Sequence, residues 1–466
     1  MKQKRQASIV EALIPIIFLV IALMIALSSY DADPQIPLIA GTVVASMIGI
    51  FRLGYSWGEL EEGILDTIKM ALQAVLILLI VGTLIGTWIL GGVVPAMIFW
   101  GLKILSPGIF LVATLLICSI VSIATGSSWT TAGTVGIALL GIGQTLGIPA
   151  PIIAGAIISG AYFGDKMSPL SDTTNLAPAM AGAELFDHIR HMLYTTVPAY
   201  LISLVLYAVI GIKYAGQSMD TAQMDVITQT LANSFETLSP ILLLAPVIVI
   251  GLVILKMPAL PALLIGTMIG GVFAFGLQGA NLGDIIEAMH YGFASNTGVP
   301  AVDDLLTRGG LNSMMWTVSL IVCALAYGGV LEKTGMLQTI VTYILRFAKG
   351  TFGLVFATLS TCILTNLVTG DQYLSIVMPG RMYKEEYEKR NLAAVNLSRA
   401  IEDSATVTSP LIPWTTCGSY MFAALGISPL AFLPYAFFNI LTPLISLLLG
   451  ATGYSMKKRT QDTTSK

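Results

Sequence analysis

Two carboxylates and several hydroxyls stand close together in residues 164–175, which read Gly-Asp-Lys-Met-Ser-Pro-Leu-Ser-Asp-Thr-Thr-Asn and follow an apolar run. Pro169 removes one helical hydrogen bond and thereby leaves a carbonyl oxygen free. Oxygen groups of this kind suit a dehydrated sodium ion, and a buried carboxylate takes either a cation or a proton. The candidate ligands are Asp165, Asp172, Thr173 and Asn175, with the two aspartates as the expected sodium ligands. The alternative is an aqueous loop with a Ser-Asp helix cap.

A second polar stretch interrupts an apolar run at residues 125–134, which read Thr-Gly-Ser-Ser-Trp-Thr-Thr-Ala-Gly-Thr. Glycines and hydroxyls at such a place are typical of a helix that breaks and restarts, which exposes backbone carbonyls at membrane depth. The hydroxyls add further oxygens for a cation, so Ser127, Ser128 and Thr130 are candidate ligands. The alternative is a face of small residues on which another helix packs.

The second half of the chain contains two stretches of similar character. Residues 366–372 include Asn, Thr, Gly, Asp and Gln, and residues 402–410 read Glu-Asp-Ser-Ala-Thr-Val-Thr-Ser-Pro. A charged group at membrane depth is costly and is therefore usually functional. Asp371, Glu402 and Asp403 are accordingly further candidate ion ligands.

The composition places these polar segments in a lipid bilayer. Of 466 residues, 55% are hydrophobic and 11% are charged, and the mean hydropathy is +0.84. A soluble domain usually has about 25% charged residues. The apolar runs are continuous rather than alternating, so we predict an all-α polytopic membrane protein with about 12–14 transmembrane helices, and not a β-barrel. The net charge of −3 gives no sign of a nucleic-acid partner, and no cofactor is expected.

Basic residues predict the orientation of the chain, because Lys and Arg concentrate in cytoplasmic loops. Those at 2–5 and 457–459 place both termini in the cytoplasm. The two halves share six short matches in the same order, among them Ser-Pro-Leu at 168–170 and at 409–411. Each half crosses an odd number of times, so the repeats must be inverted, with broken helices at the midplane where they meet. We predict a first repeat at 1–216, an external linker at 217–238, a second repeat at 239–454 and a cytoplasmic tail at 455–466.

The sequence resembles the NhaC family of sodium/proton antiporters, within the broader ion transporter superfamily, over essentially its whole length. The resemblance rests on residues 125–134 and 160–175, and residues 402–410 support it. It implies inverted repeats, broken helices and sodium export driven by proton entry. Some relatives are similar to malate–lactate antiporters, so organic-acid exchange coupled to H⁺ and Na⁺ stays open. In that case Lys166 and Arg399 would bind the substrate; alternatively, each forms an ion pair with a neighbouring acid.

We therefore expect an antiporter of the inner cell membrane that exchanges cytoplasmic Na⁺ for external H⁺ by alternating access. A channel is one alternative, which strictly coupled counterflow would exclude. A membrane-embedded enzyme is disfavoured, since the sequence has neither a His-Glu-x-x-His pair nor a Gly-x-Ser-x-Gly turn. Faces rich in Gly and Ala leave room for a homodimer.

Overall fold

The computed structural model describes residues 4–30, 32–215, 221–346 and 348–459. Within these residues the chain is helical, and its β-pairing is confined to two isolated bridges. The prediction of an all-α protein is confirmed. The helices of the first half are α1 Ile9–Ser29, α2 Gln35–Ile48, α3 Trp57–Leu90, α4 Val93–Ile104, α5 Pro107–Thr125, α6 Ser128–Thr131, α7 Ile137–Thr145, α8 Ala150–Met167, α9 Asp172–Ala181, α10 Leu185–Ala215 and α11 Thr221–Ser234.

The second half follows the same pattern of long helices mixed with short ones. Its helices are α12 Leu244–Ile254, α13 Ala259–Leu277, α14 Leu282–Tyr291, α15 Pro300–Leu306, α16 Met315–Lys333, α17 Met336–Arg346, α18 Gly350–Thr369, α19 Gln372–Lys389, α20 Ala394–Ile401, α21 Thr416–Leu425, α22 Pro429–Phe432 and α23 Phe437–Thr452. A π-helical turn, Glu402–Thr406, continues α20.

Eight helical segments of the described chain are long and apolar enough to cross a membrane. A ninth is obtained if α21 and the helical segment Pro429–Tyr435, bent by 88° from each other, are taken as one broken span. The protein is thus a multi-pass membrane protein, as predicted. The number is lower than 12–14 because several helices are short, interrupted or polar. The higher span count and the inverted relation of the two halves stay predictions.

The helices at the lipid boundary carry large apolar side chains outside and small ones inside. On α13, Met268, Val272 and Phe275 are 70%, 67% and 68% exposed. Its opposite face packs on α3 through glycine, and the indole of Trp88 donates to the carbonyl of Gly266 at 2.9 Å. This arrangement is expected in a bilayer. Small residues let two helices approach closely, and apolar side chains that point outward are solvated by the lipid tails.

The helix breaks predicted at the two polar stretches are present. α5 and α18 each end at a glycine in the left-handed region, Gly126 with φ +68° and Gly370 with φ +67°. The next residues cap new helices, because Ser127 and Asp371 accept the backbone N–H three residues on, at 3.1 and 2.9 Å. A left-handed glycine followed by a polar cap ends one helix and starts another. The same local sequence chemistry therefore produces one break in each half.

The connecting segments contain structure of their own. The segment predicted to be an external linker includes α11, while residues 216–220 lie outside the described residues. Residues 455–459 of the expected tail are docked on the protein, since the backbone N–H of Ala393 donates to the carbonyl of Lys457 at 2.9 Å and that of Arg459 to Asn391 at 3.0 Å. The boundaries of the two repeats stay predictions.

Candidate functional site

A cavity of 870 Å³ lies where the broken helices of both halves meet. Its wall is formed by α3, the α5–α6 break, α8, the turn before α9, the turn between α12 and α13, and the first residues of α19 and α21. The polar and thiol side chains in this wall are Gln73, Thr125, Ser127, Ser128, Asp165, Asp172, Lys256, Gln372, Tyr373, Thr416 and Cys417.

The cavity wall adjoins the part of α3 that leads from the N-terminal segment. All charged residues of α3 lie between Glu59 and Lys69, and the cavity wall begins one residue later, at Met70. Glu59 forms an ion pair with Lys4, which places this end of α3 beside the N-terminal segment. The exposed side chain of Lys256 lies in the same wall. The charged part of α3 therefore lies next to the cavity along the helix.

Asp165 is the carboxylate at the centre of the site. It is 5% exposed and occupies the last turn of α8, which packs against α5 through glycine; a Cβ on Gly164 would lie 2.5 Å from the Cβ of Ser122. Oδ2 accepts from the backbone N–H of Ser128 at 3.2 Å and from its hydroxyl at 2.6 Å. Oδ1 has no hydrogen-bond partner among the described residues. A buried carboxylate oxygen without a partner is costly unless a cation or a proton occupies it.

Glu402 lies behind this site in the π-helical turn after α20. Its carboxylate is fully buried, and Oε1 accepts from the hydroxyl of Thr173 at 3.1 Å. Oε2 has no hydrogen-bond partner within the described chain. Thr173 is itself hydrogen-bonded to the hydroxyl of Ser171, 3.1 Å away, so the turn before α9 joins Glu402 to the cavity wall. Glu402 and Asp165 interact electrostatically.

Asp403 is the centre of a buried charge cluster, with Lys166 and Arg399 as its cations. Its Oδ1 is bound by the ammonium of Lys166 and by the hydroxyl of Thr195, the latter at 2.9 Å. The Nε of Arg399 lies 3.9 Å from Oδ2. The structure thus places Lys166 with Asp403 rather than with the adjacent Asp165, and it places Arg399 with one of the two predicted acids. Neither cation lines the cavity.

The cluster of Asp165, Glu402, Asp403, Lys166 and Arg399 carries one uncompensated negative charge when these five groups are ionised. Asp165, Glu402 and Asp403 contribute three negative charges, and Lys166 and Arg399 contribute two positive ones. Burying a net charge is expensive in a low-dielectric interior, so one monovalent cation or one proton is needed to balance the cluster. This arrangement can bind either species, and binding of one removes the need for the other.

The remaining predicted ligands have local roles or lie at the edge of the site. Asp172 is exposed in the cavity wall and accepts from the hydroxyl of Tyr373. Asn175 is exposed and donates to the carbonyls of Pro169 and Ser171, at 2.9 and 2.6 Å. These two hydrogen bonds hold the turn before α9.

Two further candidates shape the helix breaks. The hydroxyl of Thr130 donates to that of Ser127 at 3.1 Å and so completes the cap of α6; Ser127 itself is half-buried in the cavity wall. Asp371 caps α19 through Oδ1, and its Oδ2 lacks a hydrogen-bond partner among the described residues. Asp371 does not line the cavity, whereas its neighbour Gln372 does.

Several residues of the site were missed, and three of them are instructive. Thr195 lies in α10, far along the chain from Asp403, and a pair of threonines in an apolar run gives no signal. Tyr373 follows the predicted Asp371–Gln372 pair directly, so that segment could have been extended by one residue. Lys256 is a lone basic residue between two apolar runs, and this interruption was a usable signal.

A bundle of membrane-length helices, interrupted around a buried carboxylate cluster and an open cavity, defines a membrane transport protein. Residues 160–454 match the sequence profile of the Na⁺/H⁺ antiporter family. The Na⁺/H⁺ antiporter NhaC of Alkalihalophilus pseudofirmus is 42% identical over 427 residues, which are 91% of this chain and 92% of that one. The chain therefore belongs to the NhaC family of Na⁺/H⁺ antiporters, and the resemblance inferred from its sequence is confirmed.

Other relatives are named for different activities. The malate-2H⁺/Na⁺-lactate antiporter of Bacillus subtilis is 38% identical over 454 residues, with 97% of this chain and 96% of that one covered. The arginine/ornithine antiporter ArcD of Halobacterium salinarum is 39% identical over 455 residues, with 97% and 94% covered. The fold is thus shared by proteins named for inorganic and for organic substrates.

Proposed function

We propose that this protein exchanges Na⁺ for H⁺ across the membrane and that Asp165 binds the two ions in turn. The observation that carries the proposal is the Asp165 carboxylate, which is buried in the cavity wall with one oxygen held by Ser128 and the other without a partner in the described chain. The NhaC relatives named as Na⁺/H⁺ antiporters support the same assignment.

Competition between the ions follows from the charge of the cluster. With Na⁺ at Asp165, the five charged groups of this cluster are neutral in sum, and addition of a proton would give the cluster a net positive charge. With a proton on Asp165 or Glu402, the same balance is reached without Na⁺. Because burial makes each net charge costly, the two states exclude one another. Mutual exclusion at one site is sufficient for coupled exchange.

We take the cavity as the path to the site from the side of the N-terminal segment, which we place in the cytoplasm because of its basic residues. In this proposal Na⁺ enters here from the cytoplasm, the protein changes conformation, and protons return from outside. Moving one elementary charge across the membrane changes the free energy by about 2.3 kcal/mol per 100 mV of membrane potential. The number of Na⁺ and H⁺ ions exchanged per cycle therefore determines the driving force.

Exchange in vesicles tests the proposal. The purified protein is reconstituted into vesicles that hold a proton gradient and a pH-sensitive dye. NaCl is then added to the external solution. We expect Na⁺ to dissipate the gradient in wild type and to have no effect in Asp165→Asn, which keeps the shape of the side chain but removes its charge. Asp187→Asn is the matched control, since Asp187 is half-exposed and its nearest cation, Arg190, lies 4.0 Å away at the surface.

The pattern across three carboxylates identifies the binding group. Asp172→Asn should raise the KM for Na⁺ but leave exchange measurable, because Asp172 is exposed at the cavity wall. Glu402→Gln should impair exchange strongly, because its buried carboxylate contributes to the charge balance. Full exchange by Asp165→Asn would refute the assignment of Asp165, and a wild-type protein that ignores Na⁺ would refute the function.

An organic acid is the second candidate substrate, supported by the size of the cavity. A volume of 870 Å³ is within the range of about 300–1,000 Å³ that small-molecule sites occupy, and it far exceeds what a bare Na⁺ requires. Lys256 lies in the cavity wall, and its ammonium forms no ion pair with any described residue. In this reading Lys256, rather than Lys166 or Arg399, would contact a carboxylate, since the latter two are buried with Asp403.

The same vesicles separate the two candidates. Dissipation of the gradient by Na⁺ alone supports simple Na⁺/H⁺ exchange. A response that requires malate or lactate supports the organic acid, and Lys256→Gln should then raise the KM for that acid without changing the KM for Na⁺.

A further inference from the structure

The last described residues of the chain, 453–459, form a strap over the first turn of α20, which we call the C-terminal strap. The amide of Asn396 donates to the carbonyl of Lys457 at 2.6 Å, and its oxygen accepts the backbone N–H of Lys457 at 3.0 Å. Two further backbone hydrogen bonds, at 2.9 and 3.0 Å, join the strap to Ala393 and Asn391. The strap is therefore fixed to the helix that leads into Glu402 and Asp403.

Ser455 connects the strap to a buried charge. Its backbone has φ +62°, a left-handed conformation that is uncommon for a residue other than glycine. The side-chain oxygen accepts from Nη1 of Arg399 at 2.8 Å, and the sulfur of Met456 lies 3.4 Å from Nη2. An uncommon backbone conformation persists when the surroundings hold it. Here the strap presents two acceptors to one guanidinium.

The position of Arg399 leaves a gap at Asp403. The Nε of Arg399 lies 3.9 Å from Oδ2 of Asp403, and neither atom has a hydrogen bond to any described residue. A buried guanidinium and a carboxylate normally form a direct, often bidentate, pair. Arg399 is thus bound on its outer side by the strap and not by the acid next to it. Consequently Asp403 is left to Lys166 and Thr195.

We propose that the C-terminal strap positions Arg399 for the ion site, with Ser455 as the residue that holds the guanidinium back from Asp403. This inference rests on the proposed exchange of Na⁺ for H⁺. By keeping Arg399 away from Asp403, the strap leaves Asp403 as the full partner of Lys166. The ammonium of Lys166 is thereby kept off Glu402 and Asp165, where it would compete with a bound cation.

Release of Arg399 should weaken Na⁺ binding. Without the Ser455 oxygen, the guanidinium is free to close the 3.9 Å gap and pair with Oδ2 of Asp403. The pull of Asp403 on Lys166 then decreases, and positive charge moves toward the cation site. A small displacement of a full charge near a bound ion changes its affinity measurably, by roughly three- to tenfold at the effective dielectric constant of a protein.

Two substitutions at Ser455 separate the contact from the backbone conformation. Ser455→Gly permits the left-handed backbone and so keeps the strap docked, but it removes the acceptor. Ser455→Asn also tolerates this conformation and restores a side-chain oxygen. A chain that ends at Thr452 removes the strap entirely, and a chain that ends at Arg459 keeps all of its described residues as the truncation control.

The readout is the KM for Na⁺ and the maximal rate of Na⁺-driven proton release in vesicles. We expect Ser455→Gly and the chain ending at Thr452 to raise the KM roughly three- to tenfold with little change in the maximal rate. Ser455→Asn should restore the KM, and the chain ending at Arg459 should behave as wild type. A purely structural strap would instead lower the amount of active protein and leave the KM unchanged.

The outcomes are distinct. If wild type exchanges Na⁺ and Ser455→Gly has the wild-type KM, the strap does not position Arg399 and this inference is overturned alone. If wild type fails to exchange Na⁺, both the proposed function and this inference are overturned. Should the chain ending at Thr452 fail to fold, the two Ser455 variants decide the question.

Discussion

The ion pair between Lys166 and Asp403 offers a stringent test of the buried charge cluster. Both side chains are completely buried. Removing one partner of such a pair leaves an unpaired charge and typically costs about 3–5 kcal/mol. In Lys166→Met the carboxylate of Asp403 would keep the hydroxyl of Thr195 at 2.9 Å and the guanidinium of Arg399 at 3.9 Å. Because this compensation is partial, we expect a loss of about 3 kcal/mol.

The double variant Lys166→Met, Asp403→Leu should recover most of that stability. Replacing a buried pair by apolar residues of similar volume is often neutral or stabilising. The charge balance is also restored: two carboxylates, Asp165 and Glu402, against Arg399 leave one net negative charge, as in the wild type, whereas Lys166→Met alone leaves two.

Thermal unfolding in detergent measures the cycle of wild type, both single variants and the double variant. Membrane proteins often unfold irreversibly, so all four proteins are heated at one scan rate and compared by midpoint. We expect the double variant to unfold several degrees above Lys166→Met and near the wild type. A double variant as unstable as the sum of the two single variants would show that the residues do not interact, and the cluster as described would be wrong.

Further variants examine the cavity and the helix packing. Cys417 borders the cavity wall but is only 2% exposed, and its thiol is hydrogen-bonded to Gln372 at 2.9 Å, so a small methanethiosulfonate reagent should leave the exchange rate of the wild type unchanged. Inhibition that Cys417→Ser prevents would contradict the burial of this thiol. Gly86→Ala should lower the unfolding midpoint strongly, because its Cβ would lie 2.1 Å from the carbonyl oxygen of Ala288, whereas Gly58→Ala, with open space around it, should not. Equal midpoints for these two variants would contradict the close approach of α3 to α14.

The parts of the fold that are encoded locally were predictable. Gly126 and Gly370 follow apolar runs and precede hydroxyl or carboxylate caps, and this local chemistry is sufficient to end one helix and start the next. Hydropathy predicted a multi-pass helical protein for the same reason, since the preference of a segment for lipid depends on its own composition. The polar motifs around Asp165 also predicted the family.

The partners of the charged residues were not predictable, because they lie far apart in sequence. Lys166 and Asp403 are separated by 237 positions, and Thr195, which also binds Asp403, is in a third helix. The same residue types serve as ion ligands and as helix caps, so Asn175 and Thr130 fitted both roles until their hydrogen bonds were known. Only the packing of the helices distinguishes these roles.

The short helix α21 lies between the cavity at Asp165 and a second cavity. Its first residues line the 870 Å³ cavity, and its last residues line one of 630 Å³ that also contains Arg308 and Trp316. Trp316 donates to Asp33, in the turn between α1 and α2. Between the cavities, the ring of Tyr420 stacks on Trp129 at 4.1 Å.

Opening the second cavity to Asp165 therefore requires α21 to move. Several hydrogen bonds hold it in place. The hydroxyl of Tyr420 donates to the carbonyl of Trp129 at 2.7 Å, the guanidinium of Arg308 donates to that of Leu425 at 3.1 Å, and the backbone N–H of Thr416 donates to that of Gly370 at 2.8 Å. They lie at the middle, the end and the start of the helix. Because each net hydrogen bond is worth only about 1 kcal/mol, or up to about 3 kcal/mol when charged, their exchange for others is compatible with transport. A barrier one helix thick is consistent with the proposed alternation between the two cavities.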